Sequence, residues 1–101
     1  MNLSIKHSKL IHLLSQYLDN QIGYEPLNDF AWEIIDYFTE NKVSNSSLNQ
    51  DSENAFWYAI WQIQHLADKE HSDEGLTKRE FSDILSYLNG DKILTATAHK
   101  P

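Results

Sequence analysis

Residues 53–70 read ENAFWYAIWQIQHLADKE, a run that holds four aromatic side chains, Phe56, Trp57, Tyr58 and Trp61. At ~100° per residue, Phe56, Ala59, Ile60, Ile63, Leu66 and Ala67 fall on one continuous helical face. Trp57 and Trp61 widen that face to well over half the circumference, leaving Tyr58, Gln62, His65 and Lys69 for solvent. A helix this apolar sits centrally and touches several neighbours. Ala59 and Ala67 are small enough to let one of those neighbours approach closely. Two roles stay open for Trp57 and Trp61. They close a bundle, or they leave indole surface for a partner.

A central helix needs others around it, and three more segments carry helical periodicity while none alternates as a strand. In residues 4–20, Leu10, Leu14, Tyr17 and Leu18 share a face, with Ile11 and Leu13 at its edges and Leu3 in line before it. Gly23 lies in the break that follows, and Pro26 suits a helical first turn because its missing N–H has no partner to lose there. The second helix, residues 26–40, buries Leu27, Phe30, Ala31, Ile34, Ile35 and Phe38. The polar stretch NKVSNSSLNQ then reads as a loop. Asp51 or Ser52 caps the third helix, residues 52–70. Thr77-Lys78-Arg79-Glu80 reads as a capping box opening a fourth helix, residues 77–89, with Phe81, Ile84, Leu85 and Leu88 as its stripe. Asn89-Gly90 ends it in a left-handed turn. In the tail, residues 91–101, Ile93 and Leu94 are expected to dock and the remainder to fray. The expectation is an all-α single domain, a four-helix antiparallel bundle.

Composition bounds what such a domain does. At 101 residues, 41% hydrophobic and 12% aromatic, the chain is one folded domain and not a disordered one. With no cysteine, disulfides, cysteine–zinc sites and thiol catalysis are excluded. The N-terminal MNLSIKHSKLIHLL continues with helical periodicity into Tyr17 and lacks a small-residue cleavage site, so a secretory signal is not expected. No apolar run reaches the ~18 residues needed to cross a bilayer. A net charge of −7 argues against direct nucleic-acid binding. Residues 19–74 hold 12 acidic side chains against Lys42 and Lys69, a net of −10, so the middle of the protein is an anion. Such a field steers a basic partner.

Sites of chemistry are harder to find. In EHSDEGLTKREF, placing Gly75 at position 6 of a calcium loop puts Phe81 where a bidentate Glu is required, so helix capping explains the segment better. His65 and Asp68 are i, i+3, but His71 points elsewhere, and no third ligand completes a metal site. No nucleophile elbow, phosphate-cradling glycine run or dinucleotide fingerprint occurs. Neither an enzyme, a metal nor a cofactor is expected. The informative pattern is on the second helix, where Glu25, Asp29, Glu33, Asp36 and Glu40 recur every three or four residues. They form one narrow stripe with no lysine or arginine interleaved, which costs a little helix stability. Trp32 borders the stripe on one side and Tyr37 on the other. Acids flanked by large aromatics suit an interface that combines steering with anchors. A solvated face whose aromatics wrap inward is the other reading.

With LIHLLSQYLDNQI at residues 10–22, a second helix rich in aromatics and acids, and ENAFWYAIWQIQHLAD at residues 53–68, the chain resembles bacterial immunity proteins. The likeness is to the helical ones that neutralise colicin D-type or contact-dependent growth-inhibition toxins. It covers residues 8–90 and rests on degenerate hydrophobic spacings. What it implies is an antitoxin that binds one cognate toxin domain tightly, usually a basic nuclease, by covering its active site or substrate surface; a cytoplasmic location and a monomer are expected besides. The resemblance transfers no contact residue. The assignment of Glu25, Asp29, Trp32, Glu33, Asp36, Tyr37 and Glu40 to the partner comes from charge spacing alone. The alternative is a small regulatory or adaptor module acting through Trp57 and Trp61.

Overall fold

A computed structural model describes residues 3–41, 50–67 and 74–94, with side chains for all but 41, 66–67 and 74–77. Four helices follow in order: α1 (Leu3–Leu18), α2 (Glu25–Asn41), α3 (Gln50–Ala67) and α4 (Glu74–Asn89). Among the described residues there is no strand. Each helix packs on two others, α1 on α2 and α4, and α3 on α2 and α4, which closes a four-membered ring. Contacts run in opposite directions along neighbouring helices. Lys6 reaches Glu33 and Lys9 reaches Phe30 across α1 and α2. His7 meets Leu88 and Tyr17 meets Phe81 across α1 and α4. These pairs are antiparallel, as short links between amphipathic helices require.

The core is the set of faces that the periodicity marks. Leu3, Leu10, Leu14 and Tyr17 of α1 are buried, with Ile11, Leu13 and Leu18 packed at the edges. Leu27, Phe30, Ala31, Ile34, Ile35 and Phe38 of α2 are all buried, as are Phe81, Ile84 and Leu88 of α4. From α3 the core takes Ala55, Phe56, Trp57, Ala59, Ile60 and Ile63. The Trp57 ring meets Phe38 edge-on at 4.9 Å and Phe56 at 5.2 Å, so α2 covers this flank of α3. At one end of the bundle Tyr17, Tyr24 and Phe81 form a cluster with ring centroids 5.8–5.9 Å apart. The Tyr24 hydroxyl donates to the Ile63 carbonyl, pinning the α1–α2 connection onto α3.

Three local expectations need correction. The helix α3 begins at Gln50, so Asp51 and Ser52 lie in its first turn rather than at its cap. There Asp51 and Glu53 complement the positive end of the helix dipole. Likewise α4 begins at Glu74, and the Thr77–Glu80 box lies inside it. A box stabilises one local start by only ~1 kcal/mol, and three further residues wind into the helix ahead of it. Finally, Ile93 does not dock; it is 81% exposed, whereas Leu94 is half-buried. The loop at 42–49, Asp68, Lys69 and the tail beyond 94 lie outside the described residues.

Candidate partner-binding surface

The acidic stripe stands on α2 because the same residues that bury its apolar face rotate the carboxylates outward. Taking ~100° per residue, the centre of the stripe lies about 170° from the centre of the buried face, so it points straight away from the core. Glu25, Asp29, Glu33, Asp36 and Glu40 are all exposed. From first to last they cover about 22 Å of helix axis at 1.5 Å per residue. Trp32 is 44% exposed beside them, one of only three large apolar side chains the described residues leave open, with Ile5 and Ile93. Tyr37, on the other border, is half-buried and stacks edge-to-face on Phe38 at 5.4 Å.

One neighbour of the stripe was not legible in the sequence. The Lys6 ammonium of α1 lies 3.6 Å from a Glu33 carboxylate oxygen. Lys9, one turn along, places its ammonium 5.5 Å from the centre of the Phe30 ring. Within α2 the acids are uninterrupted, but α1 supplies a cation at their edge. Lys6 is half-buried but Glu33 is exposed, and a pair open to water on its carboxylate side contributes ~0–1 kcal/mol, so it tempers the local repulsion without cancelling the field. Finding it requires the register of α1 against α2, and neither helix's periodicity encodes that.

The two indoles of α3 separate in the structure. Trp57 is 1% exposed and belongs to the core, enclosed by Phe38 and Phe56. It offers no surface to a partner of the folded domain, and its buried indole N–H has no acceptor among the described residues. Trp61 is half-buried and packs against the core from outside. Of the four side chains expected in solvent on this helix, His65 is exposed, Tyr58 and Gln62 are half-buried, and Lys69 is not described.

Among the described residues no group of three His, Asp or Glu side chains could hold a metal ion, and no helix is long and apolar enough to cross a membrane. What the stripe can do chemically is attract and orient cations over four helical turns. Its carboxylates recur about every 6 Å of axis, sparser than the ~3.4 Å phosphate spacing of one nucleic-acid strand. Charge at that spacing gives steering and register rather than holding strength. No protein-family model matches the chain, and comparison with curated proteins and with solved structures returned no similar protein.

Proposed function

We propose that this protein is an immunity-type inhibitor that binds a cationic toxin domain, of the nuclease class, and covers its substrate surface with the acidic stripe of α2. The observation that carries the reading is an exposed, unbroken line of five carboxylates with a half-exposed indole at its border. A nuclease surface that accepts a polyanion accepts such a line in its place, and Trp32 is the apolar anchor at the border of the stripe. Tyr37 and the Lys6–Glu33 pair form its rim. The inhibitor acts as a monomer in the cytoplasm, a reducing compartment that a chain without cysteine tolerates. An adaptor role through both Trp57 and Trp61 is disfavoured, since Trp57 has almost no surface to offer.

The test is whether the neighbouring reading frame encodes a basic toxin domain that is lethal alone and harmless when co-expressed with this protein. Wild-type association should be fast and should slow steeply as salt rises, because steering is screened over ~8 Å at physiological ionic strength. The double substitution Asp29→Lys with Glu33→Lys should slow association by about tenfold or more while helix content by circular dichroism is unchanged. Trp32→Ala should act instead on dissociation, weakening the complex by roughly 2 kcal/mol. An association rate indifferent to the charge reversal would remove the stripe from the interface.

A further inference from the structure

On another side of the bundle, the α3–α4 groove opens into a cleft of about 290 Å³. Its lining is Tyr58 from α3 and Arg79, Glu80, Asp83, Ile84 and Tyr87 from α4. Tyr58 and Tyr87 meet at nearly a right angle, 84° between planes with centroids 6.3 Å apart, and make two walls of a corner. Ile84 is buried and gives the corner an apolar wall. Aromatic faces carry negative quadrupole potential, and perpendicular rings beside a carboxylate are the arrangement that receives alkylammonium and guanidinium groups.

The charges at the cleft favour the same class of ligand. Asp83 already holds the Lys92 ammonium at 3.3 Å, an exposed pair that shows this wall accepting a primary amine from the chain itself. Glu80 is half-buried and makes no ion pair among the described residues. Arg79 is also at the cleft but is exposed, where water screens it. Burial first, then the Glu80 carboxylate, Tyr87 and the Asp83 carboxylate push the Tyr58 phenol above its ordinary value. Of the four charges at that wall, Glu80 alone is half-buried, so water screens it less than the exposed Asp83, Arg79 and Lys92.

We infer that the α3–α4 cleft is a receptor for one organic cation, an alkylammonium or guanidinium group seated against the Tyr58 and Tyr87 rings and charge-paired with Glu80. The same chemistry is carried by a free polyamine and by a lysine or arginine side chain of a bound protein. The ring of helices puts this cleft between α3 and α4 while the acidic stripe faces outward from α2 beside α1, so the two sites are separate. The inference does not depend on the role given to the stripe.

The experiment follows the Tyr58 and Tyr87 ring resonances by NMR as the intact protein is titrated with putrescine, methylguanidinium or N-acetylarginine amide. Urea, a neutral isostere of guanidinium, is the control. Saturable shifts with Kd in the millimolar range are expected for the cations, and none for urea. Glu80→Gln should weaken binding about threefold or more, and Tyr58→Ala about fivefold, whereas Tyr58→Phe stays within about twofold because the ring and not the hydroxyl is needed. The Asp29→Lys, Glu33→Lys protein should bind the probes within about twofold of wild type at ~0.15 M salt, which separates this site from the stripe. Tighter binding of putrescine than of N-acetylarginine amide assigns the site to free polyamines, and the reverse order assigns it to a partner's side chain. Urea shifting the rings as strongly as methylguanidinium, or cation shifts untouched by both Glu80→Gln and Tyr58→Ala, would overturn the assignment. The urea comparison needs only the wild-type chain, so it stands even where a variant folds poorly.

Discussion

His7 lies where α1 crosses α4, with its ring 6.4 Å from that of Phe56 and a hydrogen bond to the Leu88 backbone. Its Nε2 is buried without a partner among the described residues. Burial disfavours the imidazolium and lowers the pKa below the ordinary 6.5, and the Leu88 hydrogen bond offsets this only in part. Because the folded-state pKa is depressed, the unfolded chain binds the proton more readily. The neutral ring's contribution to stability is whole above ~6.5 and is lost as pH falls from there through the folded value. Thermal unfolding should therefore show the wild type losing Tm between about pH 7.5 and about pH 5 faster than His7→Leu does. Parallel curves for the two proteins would show that His7 does not titrate across folding. Nothing in one helix's periodicity tells which neighbour closes over the edge where His7 stands. Trp57 carries the same lesson. Helical projection put it at the margin of the apolar face, and only Phe38, a residue of another helix, decides that the margin is covered.

Helix ends divide sharply into those the sequence reveals and those it hides. The exits of α1 and α4 are built alike. Asn20 is left-handed at φ 62°, with Asn20 N–H bonded to the Tyr17 carbonyl and Gln21 N–H to that of Gln16. Gly90 is left-handed at φ 82°, with Gly90 N–H bonded to Tyr87 and Asp91 N–H to Ser86. Both are Schellman closures, and the likeness of SQYLDNQI to LSYLNGDKI comes from this shared stop signal and not from a repeat. Gly and Asn announce such an exit because few other residues accept positive φ. Entries are less legible. NKVSNSSLNQDS and EHSDEGLT each offer several capping residues in succession, and a local preference of ~1 kcal/mol cannot choose among them. At Gly90 an added Cβ would meet nothing within 4 Å, so a substitution there is opposed by backbone conformation alone. Gly90→Ala should lower stability by about 1 kcal/mol in urea unfolding with the slope unchanged, and Gly90→Asn by less. An alanine variant as stable as wild type would mean that the α4 exit relaxes out of the left-handed turn.

For the whole molecule, the all-α class and most of the core were legible because three of the four helices state their buried faces without ambiguity. The arrangement of those helices was not, and with it went the Lys6–Glu33 contact and the α3–α4 cleft, both of which exist only between elements. The distribution of charge was legible, and it has opposite consequences for folding and for binding. Along α2 each carboxylate of the stripe faces a like charge one turn away, and only Glu33 has a cation beside it among the described residues. Adjacent like charges on a helix oppose folding by ~0.2–0.5 kcal/mol each, and the expanded unfolded chain relieves part of that repulsion. Raising ionic strength from ~0.01 M to ~0.15 M shortens the screening length from ~30 Å to ~8 Å. Stability should then rise by roughly 0.5–1 kcal/mol, a Tm increase of about 4 °C, over the same range in which association with a cationic partner slows. Asp29→Lys with Glu33→Lys interleaves cations into the stripe, so its Tm should respond to salt much less than the wild type's. A wild-type Tm that falls with added salt would mean that ion pairs such as Lys6–Glu33 outweigh the repulsion. The stripe would then be a balanced surface rather than the source of the field that the proposed function requires.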